Sequence, residues 1–505
     1  YEFGLRGVPK LPSYVFISDV DSENLAAILE LNTPGLMVES STVREYHTTY
    51  GAHILGYMGA MTDAEWQENQ KLGYSMDADV GKSGFEQAFE TYLHGIDGQR
   101  LDKVTKEGTI VSQQYLEGKE PVAGNNVETT IDIDLQKVAE DALAKRMKEL
   151  TDPNINTGGE GEGIDAQGAA VVVMKVKTGE ILACASYPTF NLATMKEDWD
   201  AINSDDLKPL FNRALQGLYT PGSTFKPAVA IAALDTGLIN RYSTVNCTRV
   251  YTYYKDYRPK CTQHGHGNGP IDVVNAIKWS CNIFFYDVGR RLTSDVYDAY
   301  AYKLGLGQRT GVEVSEATGH LTTKNDSNYM ESLDIQAAIG QGNTVVTPVQ
   351  LATYAATIAN RGTRYRTHFV KAILDSNTGE VLQETQPEVM DVIEDKGETF
   401  DLIQQGMIGV SQTISALANY PYTIACKTGT PQRSEGYYSG SSYRHYTNTM
   451  MIAYGPTEDA QIAIGIVVEY GGGGARAGNL VADIFNAYFA MQDGTLNEDG
   501  TIGKQ

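Results

Sequence analysis

Apolar and polar positions along the chain follow two periods, and the order in which they occur predicts the architecture. AAVVVMK (169–175) and EILACAS (180–186) are near-continuous apolar runs on either side of Lys177-Thr178-Gly179, the pattern of a β-hairpin. A second β pair comes late, YTIACKTGT (422–430) and then TMMIAYGPTEDAQIAIGIVVEY (449–470), whose two strands are joined by the turn Pro456 to Ala460. VETTIDIDLQKVAEDALAKRMKEL (127–150) reads as a strand running into an amphipathic helix with Asp132 or Asp134 placed to cap it, and AGNLVADIFNAYFAM (477–491) has helical spacing. Hairpin, long helical middle, hairpin, helix predicts an α/β chain of the α+β kind, an antiparallel sheet covered by helices rather than a doubly wound parallel one.

The first 120 or so residues alternate short apolar runs with Gly-containing turns and contain no paired nucleophile and base. PVAGNN (121–126) carries turn chemistry and predicts a boundary near residue 125, giving a mixed N-terminal domain over 1–125, a main domain over 126–495 and a tail over 496–505. Residues 151–166, polar and Gly-rich, read as a surface loop or a partly disordered excursion.

Charge and length narrow the function classes. Of 505 residues, 63 are acidic and 40 basic, a formal charge of −23, which excludes nucleic-acid binding through a general basic surface. The longest apolar runs are of core-strand or core-helix length, so nothing here is expected to span a membrane, and the opening Tyr1 reads as the start of a fragment from which an N-terminal segment was removed.

The sharpest chemistry lies in LYTPGSTFKPAVAIAALDTG. Pro221 and Gly222 predict a turn, Ser223 follows at a helix N-terminus, and Lys226 lies one turn on, so hydroxyl and amine share a face. A serine hydroxyl needs a base to become a nucleophile, and a lysine serves only where burial or a neighbouring cation lowers its pKa. An N-cap serine beside a solvent lysine is the bland reading of Ser-x-x-Lys alone, but two further patterns follow in order: Ser280 and Asn282 at i and i+2 in WSCNIFFYDVG, and Lys427-Thr428-Gly429-Thr430 at a strand end. Ser22-Glu23-Asn24 and Lys177-Thr178-Gly179 repeat the short patterns in the wrong context, so order and spacing carry the information.

With Ser-x-x-Lys, Ser-x-Asn and Lys-Thr-Gly in this order, the chain resembles the penicillin-binding proteins and serine β-lactamases. FNRALQGLYTPGSTFKP, IGQGNTVVTPVQLA, TIANRG and the strand pair after KTGT resemble the family's transpeptidase domain, while VREYHTTYGAHILGYMG and DVGKSGFEQAFETYLHGIDG resemble the pedestal, or dimerisation-like, region of class B enzymes. The resemblance implies a penicillin-binding/β-lactamase-like fold behind an elongated pedestal, and a D,D-transpeptidase that crosslinks peptidoglycan stem peptides through a serine acyl-enzyme at D-Ala-D-Ala and is inhibited by β-lactams. It makes Ser223 the nucleophile, Lys226 its base, Ser280 a proton relay, Asn282 a hydrogen-bonding partner of the substrate amide and Lys427 a source of positive potential. Thr428 and Thr430, flanking Gly429, would hold the substrate carboxylate, and the N–H groups of Ser223 and Thr430 would form the oxyanion hole. No catalytic cofactor is implied. By the same resemblance the protein sits on the extracytoplasmic face of a bacterial membrane, anchored by an N-terminal helix outside this sequence, and works with a SEDS-family glycan polymerase.

Three of the five cysteines and two of the eight histidines fall between the first two motifs. Cys247, Cys261, His266 and Cys281 are spaced C-x13-C-x4-H-x14-C, with His264 a rival for the histidine place, and such a set suits a structural tetrahedral Zn²⁺. A Cys247 to Cys261 disulfide with a buried Cys281 is the competing reading. The resemblance adds that some elongation-type class B enzymes carry a metal beside the second motif. Cys184 and Cys426 read as buried small hydrophobes, His53 as a packed polar residue, and Gly471 to Gly474 as a flexible turn before the C-terminal helix, which the resemblance puts near the active-site rim. Thirty-one tyrosines could line a groove for glycan or peptide, or serve the core and surface. The pedestal and the lack of an identifiable deacylating base separate this reading from a β-lactamase, and the three motifs together separate it from an inactive scaffold; a β-lactam-sensing receptor would differ in turnover.

Overall fold

The computed structural model describes residues 16–502 apart from 18–19, 32, 34–35, 37, 39–42, 75–77, 106–109, 262–265, 440 and 498–499. Two compact units emerge, one of residues 1–47 with 95–123, the other of 48–94 with 124–505. In the first, a helix over Ser22–Glu30 is capped by the Asp21 carboxylate, and Arg100–Val104 pairs antiparallel with Ile110–Tyr115. Leu101, Val111 and Tyr115 on this hairpin are exposed.

The larger unit is built on five strands: β1 (Ala169–Lys175), β2 (Ile181–Tyr187), β3 (Ala425–Gly429), β4 (Thr449–Gly455) and β5 (Ile462–Val468). Their order is β3-β4-β5-β1-β2 and every pairing is antiparallel, so the two predicted hairpins sit side by side in one sheet. Helices α1 (Ile133–Thr151) and α6 (Gly478–Gln492) cover one face. On the other lie α2 (Lys226–Asp235), α3 (Asn282–Leu292), α4 (Pro348–Ala359) and most of α5 (Thr399–Ser411). Alternation along β1 divides between the two cores, Val171 and Val173 joining α1 and α6, Ala170 and Val172 the other side. Burial on both faces is why these strands read as continuous apolar runs although the sheet is antiparallel.

Residues 48–94 pack within this unit. The Gly51 N–H donates to Glu140 Oε1 on α1 (2.7 Å), and the Phe85 ring meets Phe369 edge-on at 5.5 Å. Burial pushes His53 down to about 4, so the neutral ring donates from Nε2 to Pro209 O (2.6 Å). The segment 151–166 makes turns, pinned where Asn156 Nδ2 donates to Leu150 O and Glu162 O. Among the described residues no helix is long and apolar enough to cross a membrane.

A close contact between layers falls at Gly465 in β5. A Cβ there would lie 2.5 Å from Pro348 O and 2.6 Å from Ala352 N, both backbone atoms of α4. Gly465→Ala is therefore expected to destabilise the larger unit by about 1–3 kcal/mol through overpacking, read as a lower urea midpoint at unchanged slope.

Candidate active site

Ser223 lies in a short 3-10 turn, Gly222–Phe225, and the α-helix starts only at Lys226. The sequence reading placed Ser223 at the helix N-terminus itself; Pro227 explains the difference. Proline has no N–H to return to Ser223 O, so that carbonyl instead accepts the i+3 bond from Lys226 N–H. The turn is wedged between backbones. Gly222 has φ +55° and donates its N–H to Gly340 O (2.8 Å), a Cβ on Gly340 would lie 2.1 Å from Gly222 O, and a Cβ on Gly429 would lie 2.7 Å from Pro221 O. Ser223, half-buried, thus stands beside the end of β3.

Two lysines converge next to it. Lys226 Nζ, fully buried, donates to Ser280 O (2.8 Å), Ser280 Oγ (3.0 Å) and Asn282 Oδ1 (2.7 Å), and lies 5.5 Å from the Phe285 ring centre. Lys427 Nζ, equally buried, donates to Ser280 Oγ (3.2 Å) and Thr428 O (2.9 Å). Among the described residues no carboxylate pairs with either. Desolvation, and secondly the Lys427 charge, hold Lys226 well below the usual lysine range; desolvation brings Lys427 to about 8.

Ser280 is held in a conformation its residue type resists. The helix Val273–Lys278 ends with Ser280 N–H bonded to Ile277 O (3.2 Å) and Cys281 N–H to Ala276 O (2.9 Å), the paired bonds of a Schellman ending. That motif needs a left-handed residue, ordinarily glycine, at the place Ser280 fills with φ +53°. Such strain costs about 1–3 kcal/mol, and what it gains is the placing of Oγ between two ammonium groups. Asn282 then opens α3, its N–H on Cys261 Sγ (3.3 Å).

The end of β3 completes the wall. Thr430 Oγ1 accepts the Gly474 N–H (3.0 Å), and a Cβ on Gly474 would lie 2.5 Å from Gly429 O, so the glycine turn lies against the KTGT strand end. All three motifs are brought together, and neither imitation joins them: Lys177 pairs with Asp459 at a hairpin turn, and Asn24 bonds Asp21. A buried cluster went unmarked in the sequence reading. Glu469 Oε1 accepts from Arg213 Nε (3.2 Å) and from Tyr219 OH (2.8 Å), tying the chain just before Ser223 to the end of β5. The strand-adjacent Glu-Tyr and the Asn-Arg-Ala run were visible in the sequence; their meeting across some 250 residues was not.

Cys247, Cys261, His266 and Cys281 meet beside Ser280, their ligand atoms all within 4.8 Å of one another. No disulfide joins any of the five cysteines. The hydrogen bond between the two thiols pushes Cys261 down and Cys281 up. Three sulfurs and an imidazole this close fit a tetrahedral ion with bonds of about 2.0–2.3 Å. His264 lies outside the described residues. Cys184 and Cys426 are buried in the sheet, their thiols pushed up by desolvation.

Comparison with known proteins adds an independent line. The penicillin binding protein transpeptidase domain family matches residues 169–490, and the penicillin-binding protein dimerisation domain family matches 7–129. The peptidoglycan D,D-transpeptidase MrdA of Acinetobacter baumannii is 28% identical over 475 residues, 90% of this chain and 67% of the relative. A chain from a peptidoglycan synthase complex that coordinates polymerization and crosslinking superposes with a TM-score of 0.79 at 29% identity, over 97% of this chain and 84% of that one. Penicillin-binding protein A from Mycobacterium tuberculosis, solved as a ceftriaxone acyl-enzyme, gives a TM-score of 0.60 at 25% identity, over 73% of this chain and 81% of that one.

Lys427 sets a pH signature of stability. Its pKa is lower folded than unfolded, so the unfolded chain binds the extra proton and stability rises as pH goes from about 8 towards 10.5. Lys427→Met removes that penalty: the variant's stability advantage over the parent is expected to shrink by about 3 kcal/mol across that interval, measured by urea unfolding at several pH values.

Proposed function

The chain belongs to the penicillin-binding protein transpeptidase family, as a class B member of the elongation type, and from that premise we propose how its residues divide the work. It is a peptidoglycan D,D-transpeptidase, joining stem peptides by serine acyl transfer at D-Ala-D-Ala, and β-lactams acylate it. Needing no catalytic cofactor, it relies on its own side chains.

The observation that carries the assignment of roles is the convergence of Lys226 and Lys427 on Ser280 Oγ beside Ser223. An ammonium at Lys226 spends all three N–H groups on Ser280 O, Ser280 Oγ and Asn282 Oδ1. Once neutral it has two N–H groups and a lone pair, and the lone pair takes the Ser223 proton as Oγ attacks the D-Ala-D-Ala carbonyl. Its lowered pKa makes the neutral form accessible. Ser280 Oγ, accepting from both lysines, has its own proton left to give the departing D-Ala amine, and is reprotonated from Lys226. Lys427 remains the cation and, with Thr428 and Thr430, draws the substrate's terminal carboxylate. Asn282 bonds the substrate amide. The N–H groups of Ser223 and Thr430 receive the oxyanion, each such donor contributing about 3–4 kcal/mol. The likeness to a named D,D-transpeptidase favours this reading over a β-lactamase.

We further infer a structural Zn²⁺ held by Cys247, Cys261, His266 and Cys281. When bound it neutralises thiolates and crosslinks the loop that carries Ser280; with four protein ligands it leaves no position for chemistry. The non-catalytic pedestal over 1–125, the transpeptidase over 126–495 and the short tail over 496–505 are the division we infer, in keeping with the two family matches. Action on peptidoglycan places the work on the extracytoplasmic face, and a glycan polymerase of the SEDS kind is the partner we infer, supported by the likeness to a synthase-complex chain.

Two measurements test this reading. After mixing with excess penicillin and removing free drug, intact mass is expected to show a lasting one-drug gain, absent in Ser223→Ala; rapid return to the starting mass with drug consumed would make the protein a β-lactamase. Elemental analysis is expected to find one zinc per chain, with Cys247→Ser and Cys281→Ser lowering both zinc content and melting temperature; a metal-free protein with an unchanged melting temperature in chelator would remove the zinc.

A further inference from the structure

The buried ion pair at the end of β5 shares no hydrogen bond with Ser223, Lys226, Ser280 or Lys427, yet it reaches both backbone segments that carry the proposed oxyanion donors. Glu469 follows Val468, the last residue of β5, and its side chain and that of Arg213 are largely buried. Oε1 takes two donors, Arg213 Nε (3.2 Å) and the buried Tyr219 hydroxyl (2.8 Å). Arg213 spends its other nitrogens on Lys208 O (3.3 Å) and Leu207 O (2.7 Å), and a Cβ on Gly168 would lie 2.1 Å from Arg213 Nε, so main chain closes around the pair. Desolvation, and then the Glu469 charge, push the Tyr219 hydroxyl up, which keeps its proton in the bond.

On the Ser223 side, Tyr219 stands four residues ahead of the nucleophile. Its backbone exchanges two hydrogen bonds with Val346 (2.9 Å each), and Gly222 N–H meets Gly340 O (2.8 Å), so the segment 219–222 is held by main chain at two points and by the Glu469 carboxylate at a third. On the Thr430 side, Tyr470 follows Glu469 with φ +56°, a left-handed value that a tyrosine resists. Its N–H is taken by Asn448 Oδ1 (3.1 Å), and Asn448 N–H donates in turn to Pro431 O (3.1 Å), one residue past Thr430. Asn448 Oδ1 also accepts from Arg433 Nη1 (3.3 Å), whose guanidinium lies 4.1 Å from the Tyr470 ring centre, so the strained tyrosine is fixed through both its backbone and its ring. Four residues after Tyr470, Gly474 N–H reaches Thr430 Oγ1 (3.0 Å).

We propose that Glu469 is a positioning residue for acyl transfer: by receiving the Tyr219 hydroxyl it fixes the separation of the Ser223 and Thr430 N–H groups. The proposal rests on the reading of those two groups as the oxyanion donors and adds what holds them apart at the right distance. Glu469 touches no reacting atom; it acts through Tyr219 on one side and through Tyr470 and Asn448 on the other. Two donors serve one oxyanion only when both stand about 2.7–3.1 Å from where that oxygen will be. A shift of the Ser223 turn by a fraction of an ångström therefore weakens one donor in the transition state while leaving ground-state binding in place.

The test uses the whole chain with penicillin, and stopped-flow fluorescence separates the dissociation constant of the first, non-covalent complex from the acylation rate constant. Tyr219→Phe keeps the ring and removes only the hydroxyl; it is expected to lower the acylation rate constant about tenfold with the dissociation constant unchanged. In the acyl-enzyme formed from penicillin isotope-labelled at the β-lactam carbonyl, the infrared band of the ester carbonyl is expected at higher wavenumber in the variant, because weakened donors polarise that bond less. Glu469→Ala should reproduce both effects, and the double variant should fall no further than Glu469→Ala, since the two substitutions break one shared contact. A parent-like rate constant and band in Tyr219→Phe, a loss explained wholly by weaker non-covalent binding, or additive losses in the double variant would overturn the positioning role. Failure of the parent protein to form any acyl-enzyme would instead undo the Ser223 reading beneath it.

Discussion

The amino groups of two buried lysines share one hydroxyl oxygen in a pocket where, among the described residues, no carboxylate pairs with either. Coulomb repulsion and lost hydration both work against that arrangement, and the surrounding structure is largely a means of enforcing it. Lys226 is fixed because its helix is buried under the sheet, with Ala228 to Ala233 sealed on every side. Lys427 is fixed because it lies on β3, registered against Ile452 of β4. Ser280 is fixed by a helix ending and by the cysteine cluster one residue away. Desolvation chiefly, with the Lys427 charge second at Lys226, lowers the lysine pKa values, so the same packing that costs stability prepares the base proposed at Lys226.

Glycines set the distances. Gly222, Gly340, Gly429 and Gly474 each stand where a side chain would strike backbone or a neighbouring ring carbon, and together they let the Ser223 turn, the loop at 340, the end of β3 and the glycine turn close around one point. Gly465 does the same for the layer beneath, seating α4 against β5. The site is thus assembled from main chain brought close, with few side chains crossing it.

What could be read from residue order was whatever local chemistry decides. The two hairpins, the capping role of Asp132 and the terminal helix follow from period and turn residues, and they stand where the pattern placed them. Contacts decided at long range were not legible. The chain at 48–94 reads like the rest of the N-terminal region, and only meetings such as Phe85 with Phe369 attach it to the larger unit. The loop near 160 reads as a polar excursion because glycine and glutamate carry no apolar period, yet Gly161 and Glu162 wall a cleft at Thr430. Pro227 was legible in principle, since a proline four residues after Ser223 forbids an α-helical bond to its carbonyl.

Ser280 shows how folding and chemistry diverge at a single codon. A helix that ends in a Schellman motif is best served by glycine at the left-handed place, and here a serine bears the strain because only a hydroxyl can stand between the lysines. On the relay role proposed for Ser280, a procedure that ranks substitutions by backbone compatibility would select the change that removes the relay hydroxyl, and a thermally hardened variant obtained that way would be a well-folded protein without it. Stability screens on this chain need an activity readout from their first round, because at this position the two quantities point in opposite directions.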